Sequence, residues 1–109
     1  MERYRSFEAF WPFYLSQHLN PVSRGLHFGG TCLALGTVAS AVALADPRLV
    51  PAALVAGYGP AWVGHFFFEK NRPATFQYPL WSLRGDFRMA WRMLRGALGP
   101  ELERARKLK

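Results

Sequence analysis

Three histidines are the residues of this chain best suited to chemistry, because the imidazole ring binds transition metals and exchanges protons near neutral pH. They are His18, His27 and His65, and the carboxylate of Glu69 follows His65 by four residues on the same helical face. Imidazoles with a carboxylate and open coordination positions suit non-haem Fe(II), and three histidines suit zinc equally well. The alternative is that each histidine only makes hydrogen bonds near an interface.

Two long uncharged runs must position these rings. Residues 28–45 and 49–68 carry no formal charge, and only residues 46–48 separate them. As helices, the runs would reach about 27–30 Å, which is the thickness of a bilayer's hydrocarbon core. We therefore predict an all-α membrane protein with an apolar helical hairpin over residues 21–45 and 49–68. Glycines and prolines interrupt both runs, so two buried helices of a small soluble bundle are the alternative.

The hairpin predicts where two of the histidines lie. His27 is nineteen residues before Asp46, and His65 is seventeen residues after Arg48. Helices of nearly equal length therefore bring both rings to the same depth. His18 precedes His27 across the Asn20–Pro21 pair, which is typical of a helix start.

Small residues recur every four positions in both runs and predict close helix packing. The second run carries Ala53, Gly57 and Ala61 with His65 at the next position of the repeat, and the first carries Cys32, Gly36 and Ser40. We expect these two stripes to face each other.

Amphipathic segments flank the hairpin. Residues 1–19 contain an aromatic helix that begins at Ser6 and is predicted to lie at the membrane interface. Residues 80–98 predict a basic amphipathic helix suited to anionic lipid, and residues 99–109 a frayed charged tail. The stripe of this helix consists of Arg84, Arg88, Arg92 and Arg95.

The net charge of +7 arises from 14 basic and 7 acidic residues and raises the question of an anionic partner. Every Lys and Arg except Arg48 lies outside the runs and their turn, which predicts that both termini are cytoplasmic. The single cysteine excludes an internal disulfide. A nucleic-acid binder is disfavoured because the basic helix shares the chain with two uncharged runs. No hydrolase or nucleotide-binding motif is present, and nothing indicates an oligomeric state.

Further polar side chains fall at the predicted level of the histidines. Arg24 and Arg72 could each bind a substrate carboxylate through two hydrogen bonds, with Asn20 beside them. The alternative for each arginine is anchoring beside phosphate headgroups.

Several strings resemble the Mpo1-like family of small membrane proteins, which includes a fungal 2-hydroxy fatty acid dioxygenase. The strings cover residues 18–21, 24–31, 64–69, 71–76, 79–82 and 86–89. The resemblance implies an Fe(II)-dependent α-oxidation that removes the carboxyl carbon of a 2-hydroxy fatty acid with dioxygen. It also implies that His18, His27 and His65 bind the iron. The Arg-, Ala- and Gly-rich composition looks bacterial, so the expected location is a bacterial inner membrane.

On this interpretation Fe(II) would be held by the histidines, with Glu69 as a further candidate ligand. Asn20, Arg24 or Arg72 would bind the substrate, and the acyl tail would lie near Phe28, Trp62 and Phe66. The alternative is a non-enzymatic lipid-binding or membrane-scaffold protein with structural histidines. Iron content separates the two hypotheses.

Overall fold

The fold is all helical over residues 4–107, the part of the chain that the computed structural model describes. The α-helices are α1 (Phe7–Ser16), α2 (Pro21–Ala43), α3 (Leu49–Val63), α4 (Pro79–Leu94) and α5 (Gly99–Arg106). A π-helical turn, Gly64–Glu69, continues α3, and a 3-10 turn, Ala74–Phe76, precedes α4. The predicted all-α class is confirmed. Two predicted segments extend beyond the described residues. Residues 1–3 of segment 1–19 and residues 108–109 of segment 99–109 lie outside them.

Helix α1 forms the centre of the hydrophobic core. Its first turn is capped by Ser6, whose Oγ accepts a hydrogen bond from the N–H of Ala9. Its apolar residues, Phe7, Phe10, Trp11, Tyr14 and Leu15, are all buried. They pack with residues of α4, of α5 and of the segment before α4. Protein therefore covers these aromatic side chains, and the location of α1 at a membrane interface stays a prediction.

Helix α2 begins as the sequence predicts. The Oδ1 atom of Asn20 accepts hydrogen bonds from the N–H groups of Val22 and Ser23, and Pro21 occupies the first turn. Among the described residues α2 is the one helix long and apolar enough to cross a membrane. Only 17% of its most apolar stretch is buried, whereas the core helix of a soluble protein is mostly buried. Helix α3 ends after 15 residues, so a pair of membrane-spanning helices is not confirmed.

Helices α2 and α3 fold back on each other and approach closely at glycine. A Cβ atom added to Gly30 would lie 2.7 Å from the carbonyl oxygen of Gly57, well inside van der Waals contact. One added to Gly57 would lie 3.3 Å from the Cβ atom of Ala34. The two backbones therefore meet where neither helix has a bulky side chain.

The predicted stripes are half right. On α3, Ala53 and Ala61 are buried, and the glycine between them contacts α2. On α2, the predicted stripe of Cys32, Gly36 and Ser40 is exposed, so that prediction is wrong. The contact surface of α2 is rotated to the side that carries Gly30 and Ala34.

The end of the chain is more ordered than predicted. Residues Gly99–Arg106 form α5, whose Leu102 and Ala105 are buried in the same core as α1. The expectation of a frayed tail is therefore wrong for these residues. Burial of the apolar side of α5 against α1 stabilises a helix that eight residues alone could not maintain.

Helix α4 presents its apolar side outward. Arg88 pairs with Glu8 of α1 at 2.8 Å and lies over the ring of Phe7, and Arg92 pairs with Glu101 of α5. These two arginines therefore bind protein carboxylates, contrary to the predicted contact with lipid. The outward side carries exposed Leu80, Leu83, Phe87, Trp91 and Leu94. Large apolar residues of α2 and α3 are exposed as well.

The glycine contact predicts the effect of one methyl group. Gly30→Ala should lower the free energy of unfolding by about 1–3 kcal/mol, because its Cβ atom would overlap the backbone of α3. Thermal unfolding in detergent, followed by circular dichroism, measures the change. The matched control is Gly36→Ala on the same helix, where an added Cβ atom meets nothing within 4 Å. Equal unfolding temperatures for the two variants would contradict the packing.

Candidate metal centre

The structure brings the three histidines to one point. His18 lies in the loop between α1 and α2, His27 lies near the start of α2, and His65 lies in the π-helical turn. Their relative exposures are 1%, 4% and 3%. The Nε2 atom of His27 is 3.1 Å from that of His18 and 3.2 Å from that of His65. The rings of His27 and His65 therefore lie together, as the near-equal lengths of the two predicted helices led us to expect.

The outer nitrogen of each ring is held by an oxygen acceptor. Nδ1 of His18 donates to the carbonyl oxygen of Tyr14 at 2.6 Å, and Nδ1 of His27 donates to that of Ser23 at 2.8 Å. Nδ1 of His65 donates to Oδ1 of Asn71 at 2.6 Å. Because these oxygens can only accept, the hydrogen of each neutral ring is on Nδ1. Each Nε2 atom therefore carries a lone pair, and the three Nε2 atoms lie close together.

Three such lone pairs cannot satisfy one another, whereas a cation between them can. Nitrogen ligands lie about 2.0–2.1 Å from a zinc ion, so two ligands at bond angles near 90–110° would be about 2.8–3.4 Å apart. The observed separations of 3.1 and 3.2 Å fall in this range. Hydrogen bonding of Nδ1 to a backbone or side-chain oxygen is also typical of metal-binding histidines. The three residues thus fit a metal ion.

The π-helical turn sets the position of His65. It begins at Gly64, where an added Cβ atom would lie 2.7 Å from the hydroxyl oxygen of Ser23 on α2. A glycine at this site lets the turn approach α2 and brings His65 beside His27. The turn ends at Lys70, whose backbone is left-handed with φ of 58°. Such single π-helical turns are frequent at functional sites.

Asn71 connects the turn with the other side of the site. Its backbone N–H donates to the carbonyl oxygen of His65 at 3.0 Å, and its side-chain oxygen accepts from the same residue's ring. Its Nδ2 group donates to the carbonyl oxygen of Gln17 at 3.1 Å, next to His18. Asn71 therefore fixes the orientation of one ring relative to the loop that carries another.

Burial keeps His18 in its neutral form. Loss of solvation lowers its pKa well below the ordinary value, and the neighbouring His27 and His65 lower it further. The hydrogen bond to the backbone of Tyr14 acts in the opposite direction. A neutral imidazole is the form that binds a metal.

Two predicted residues support the start of α2. Both carboxylate oxygens of Glu69 accept from the backbone N–H of Asn20, at 3.2 and 3.0 Å. Asn20 caps α2 with Oδ1, and its Nδ2 group donates to the carbonyl oxygen of Phe68. The structure does not place Glu69 in the group of close ligand atoms, which within the described residues comprises the three histidines. Its role as a metal ligand and the role of Asn20 in substrate binding stay predictions.

The two predicted arginines contact the backbone and an aromatic ring beside the site. One guanidinium nitrogen of Arg24 donates to the carbonyl oxygens of His18 and Leu19, at 2.9 and 2.8 Å. Arg72 lies over the ring of Phe76, 5.7 Å from its centroid. These contacts stabilise the loops around the site. Binding of a substrate carboxylate by either arginine stays a prediction.

Tyr14 and Asp86 adjoin the site, and sequence reasoning gave neither a role. The ring of Tyr14 stacks on that of His18 with centroids 4.1 Å apart, and its hydroxyl donates to Asp86. Gly85 makes room, because an added Cβ atom would lie 3.0 Å from the tyrosine ring. Burial raises the pKa of the Asp86 carboxyl to about 7, although the bond from Tyr14 lowers it. One signal was available, since Asp86 is the only acidic residue between Glu69 and Glu101.

These groups enclose a small chamber. Asp86, Tyr14 and the three histidines line it, and so do Tyr58, Ala61, Trp62, Pro73, Ala74, Thr75 and Ser82. Within the described residues three buried side-chain polar atoms lack a hydrogen-bond partner, those of Ser23, Trp62 and Ser82. Two of these three side chains line the chamber. Buried polar groups without partners are rare and call for a bound guest or water.

Asn71 provides a test of how the site is organised. Asn71→Leu should weaken metal binding about 10- to 100-fold, because His65 loses the acceptor that orients its ring. Asn71→Asp keeps an oxygen that accepts from the His65 ring but loses the donor to Gln17, so it should bind metal more tightly than Asn71→Leu. Competition with a chelator, measured by metal analysis after dialysis, gives the affinities. If Asn71→Leu binds metal as tightly as the wild type, the assigned ring orientation is wrong.

The raised pKa of Asp86 predicts a pH dependence of stability in the metal-free protein. In the unfolded chain this carboxyl titrates near pH 4, so its stabilising contribution is complete below about pH 4 and is lost as the pH rises through about 7. Between pH 5 and pH 8 this loss amounts to about 2–3 kcal/mol, and Asp86→Asn removes it, so the variant should gain that much stability relative to the wild type over this pH range. Unfolding curves at the two pH values measure it.

The control is Asp46→Asn, because an arginine holds the pKa of that exposed carboxyl low and it stays ionised throughout this range. An unchanged pH slope in Asp86→Asn would contradict the burial of the carboxyl.

Comparison with known proteins identifies the family of this chain. The sequence profile described as "2-hydroxy-palmitic acid dioxygenase Mpo1-like" matches residues 4–98. The match covers most of the chain and includes the three histidines, Asn71 and Asp86. No curated protein and no solved structure shows significant similarity to the chain. On the extent of this match, the chain belongs to the Mpo1-like family.

Proposed function

We propose that the protein is an Fe(II)-dependent dioxygenase that shortens 2-hydroxy fatty acids by one carbon at a membrane. The observation that carries the proposal is the set of three buried Nε2 atoms, each directed inward by a hydrogen bond at Nδ1. The substrate class follows the description of the family, which names 2-hydroxy-palmitic acid.

In this proposal His18, His27 and His65 hold the metal on one side and leave other coordination positions open. Bound Fe(II) would supply the electrons that activate dioxygen and would bind the substrate's carboxylate and 2-hydroxyl. Zinc fits the same nitrogen atoms, but it has no redox chemistry. The reaction class of the family therefore favours iron.

The chain's own groups would hold a proton beside the reacting carbon. Asp86 accepts a hydrogen bond from Tyr14 and lines the same chamber as the histidines. In the metal-free protein, burial raises the pKa of this carboxyl to about 7, within the range in which a general acid–base group works at neutral pH. Asp86 is therefore suited to exchange a proton with a substrate hydroxyl held in the chamber.

The membrane part of the proposal is supported by the outer surface. Helix α2 is long enough to cross a bilayer, and α2, α3 and α4 expose many large apolar side chains. A fatty-acid substrate partitions into the same environment. We infer that this surface lies in lipid and that the basic ends of the chain lie on the cytoplasmic side of a bacterial inner membrane.

Turnover tests the proposed function directly. The protein, purified without oxygen and loaded with Fe(II), should convert 2-hydroxyhexadecanoic acid and dioxygen to the fifteen-carbon acid, measured by mass spectrometry. His27→Ala and His65→Ala should lower both turnover and bound iron by at least about 100-fold, because each removes a ligand.

Cys32→Ser is the control, because this exposed side chain lies outside the chamber and should leave turnover unchanged. A folded wild-type protein that binds one iron per chain and forms no shortened acid would contradict the dioxygenase. A folded protein that binds no metal would favour the membrane-scaffold alternative.

A further inference from the structure

An apolar groove runs along the outside of the chamber. It is formed by α2, α3 and α4, and its walls include Thr31, Ala34, Ala53, Leu54, Gly57, Leu83 and Phe87. The groove follows the small residues that bring α2 and α3 together, since Ala34, Ala53 and Gly57 are among its lining residues. It differs from the acyl path predicted from sequence, since neither Phe28 nor Phe66 lines it.

The groove and the chamber adjoin each other. Four residues line both spaces, namely His27, Tyr58, Ala61 and Asp86. The shared end is the polar end, because it contains an imidazole, a phenol and a carboxyl. The opposite end, at Ala34 and Leu54, is apolar. A molecule that fills both spaces must therefore have a small polar end and an aliphatic chain.

The chamber contains donors for that polar end. The hydroxyl of Ser82, a residue that is 2% exposed, has no partner among the described residues, and neither has the indole N–H of Trp62. Both side chains line the chamber. Two buried donors without acceptors match a guest that brings oxygen atoms, and a carboxylate brings two.

We propose that groove and chamber form one binding site for a single fatty acid, whose carboxylate accepts hydrogen bonds from Ser82 and Trp62 while its chain leaves between α2, α3 and α4. The presence of a 2-hydroxyl group on this fatty acid rests on the proposed function. The path of its acyl chain rests on the groove alone. This head position uses neither Arg24 nor Arg72, since neither lines the chamber or the groove.

The position of Leu54 predicts how chain length is selected. From His27 to Ala34 the groove follows about two helical turns, or roughly 10 Å. Leu54 lines the far end and is 58% exposed, so a larger side chain there can narrow the groove without disturbing the core. Longer chains continue past this point into lipid.

A buried headgroup site also distinguishes a fatty acid from a phospholipid. The polar end of the groove is enclosed by α2, α3 and α4, and the histidines behind it are at most 4% exposed. The chamber at this end is only about 10 Å³, so it favours a carboxylate with one hydroxyl over the much bulkier glycerol with a phosphate headgroup. The occupant is therefore a single-chain acid.

Binding to the metal-free protein tests the chain path without any need for turnover. The protein is placed in phosphatidylcholine nanodiscs, and the affinities for 2-hydroxyhexadecanoate and 2-hydroxyoctanoate are measured by competition with a fatty acid that carries a diazirine on its chain. Leu54→Trp should weaken binding of the sixteen-carbon acid at least tenfold more than binding of the eight-carbon acid. Each methylene displaced from the groove costs about fourfold in affinity.

Val55→Trp is the matched control. Val55 is the next residue on α3 and is 72% exposed, and it does not line the groove. Equal effects of the two substitutions would overturn the chain path. Equally strong labelling of the groove by a phosphatidylcholine with the same diazirine chain would overturn the fatty acid as its occupant.

The head position has its own pair of variants. Ser82→Ala should weaken binding of both acids by about tenfold or more, because a hydrogen bond to a carboxylate is lost. Ser40→Ala makes the same change on the exposed side of α2, where the hydroxyl donates to the carbonyl of Gly36, and should have no effect. Wild-type affinity in Ser82→Ala would overturn the head position and would indicate that only water meets this hydroxyl.

These results separate the inference from the proposed function. Selective loss in Leu54→Trp and Ser82→Ala, without turnover by the iron-loaded wild type, would support the binding site and contradict the dioxygenase. The opposite result is turnover by the wild type together with an unchanged chain-length preference in Leu54→Trp. It would support the dioxygenase and overturn the groove as the path of the acyl chain.

Discussion

The structure depends on one electrostatic constraint, the meeting of three neutral imidazoles whose Nε2 lone pairs face one another at 3.1 and 3.2 Å. Acceptors at this distance repel unless a positive charge lies between them. The constraint persists because the Nδ1–H group of each ring is bound to a fixed oxygen. The rings therefore cannot turn to relieve it without losing a buried hydrogen bond, which costs about 1–3 kcal/mol.

Each part of the fold helps to hold the three histidine rings together. The aromatic core around α1 fixes the loop that carries His18, and the α2–α3 contact at Gly30 sets the separation of the two helices that carry or lead to the other rings. The π-helical turn places His65, and Asn71 ties it to the first loop. The same helix pair leaves an apolar groove beside the site. A cation site and a lipid-sized groove thus share one set of backbone contacts.

Features that depend on length and local pattern could be predicted from the sequence. The near-equal spacing of His27 and His65 from the turn was enough to place their rings together. The surroundings of α1 and α4 were not predictable, because they depend on pairings far apart in the chain, such as Arg92 with Glu101 and Arg88 with Glu8. An aromatic helix and a stripe of arginines are both typical of helices at a membrane surface. Only the three-dimensional structure shows that protein side chains are their partners here. Asp86 was missed for a related reason, since a lone acid in a basic helix shows its burial only in three dimensions.

X-ray absorption at the iron edge of the Fe(II)-loaded protein tests the central claim most directly, because it counts the ligands of the metal. The account predicts three imidazole nitrogen scatterers at about 2.1 Å and the loss of one of them in His65→Ala. Two or fewer imidazole ligands in the wild type, or a spectrum that is the same in His65→Ala, would contradict it.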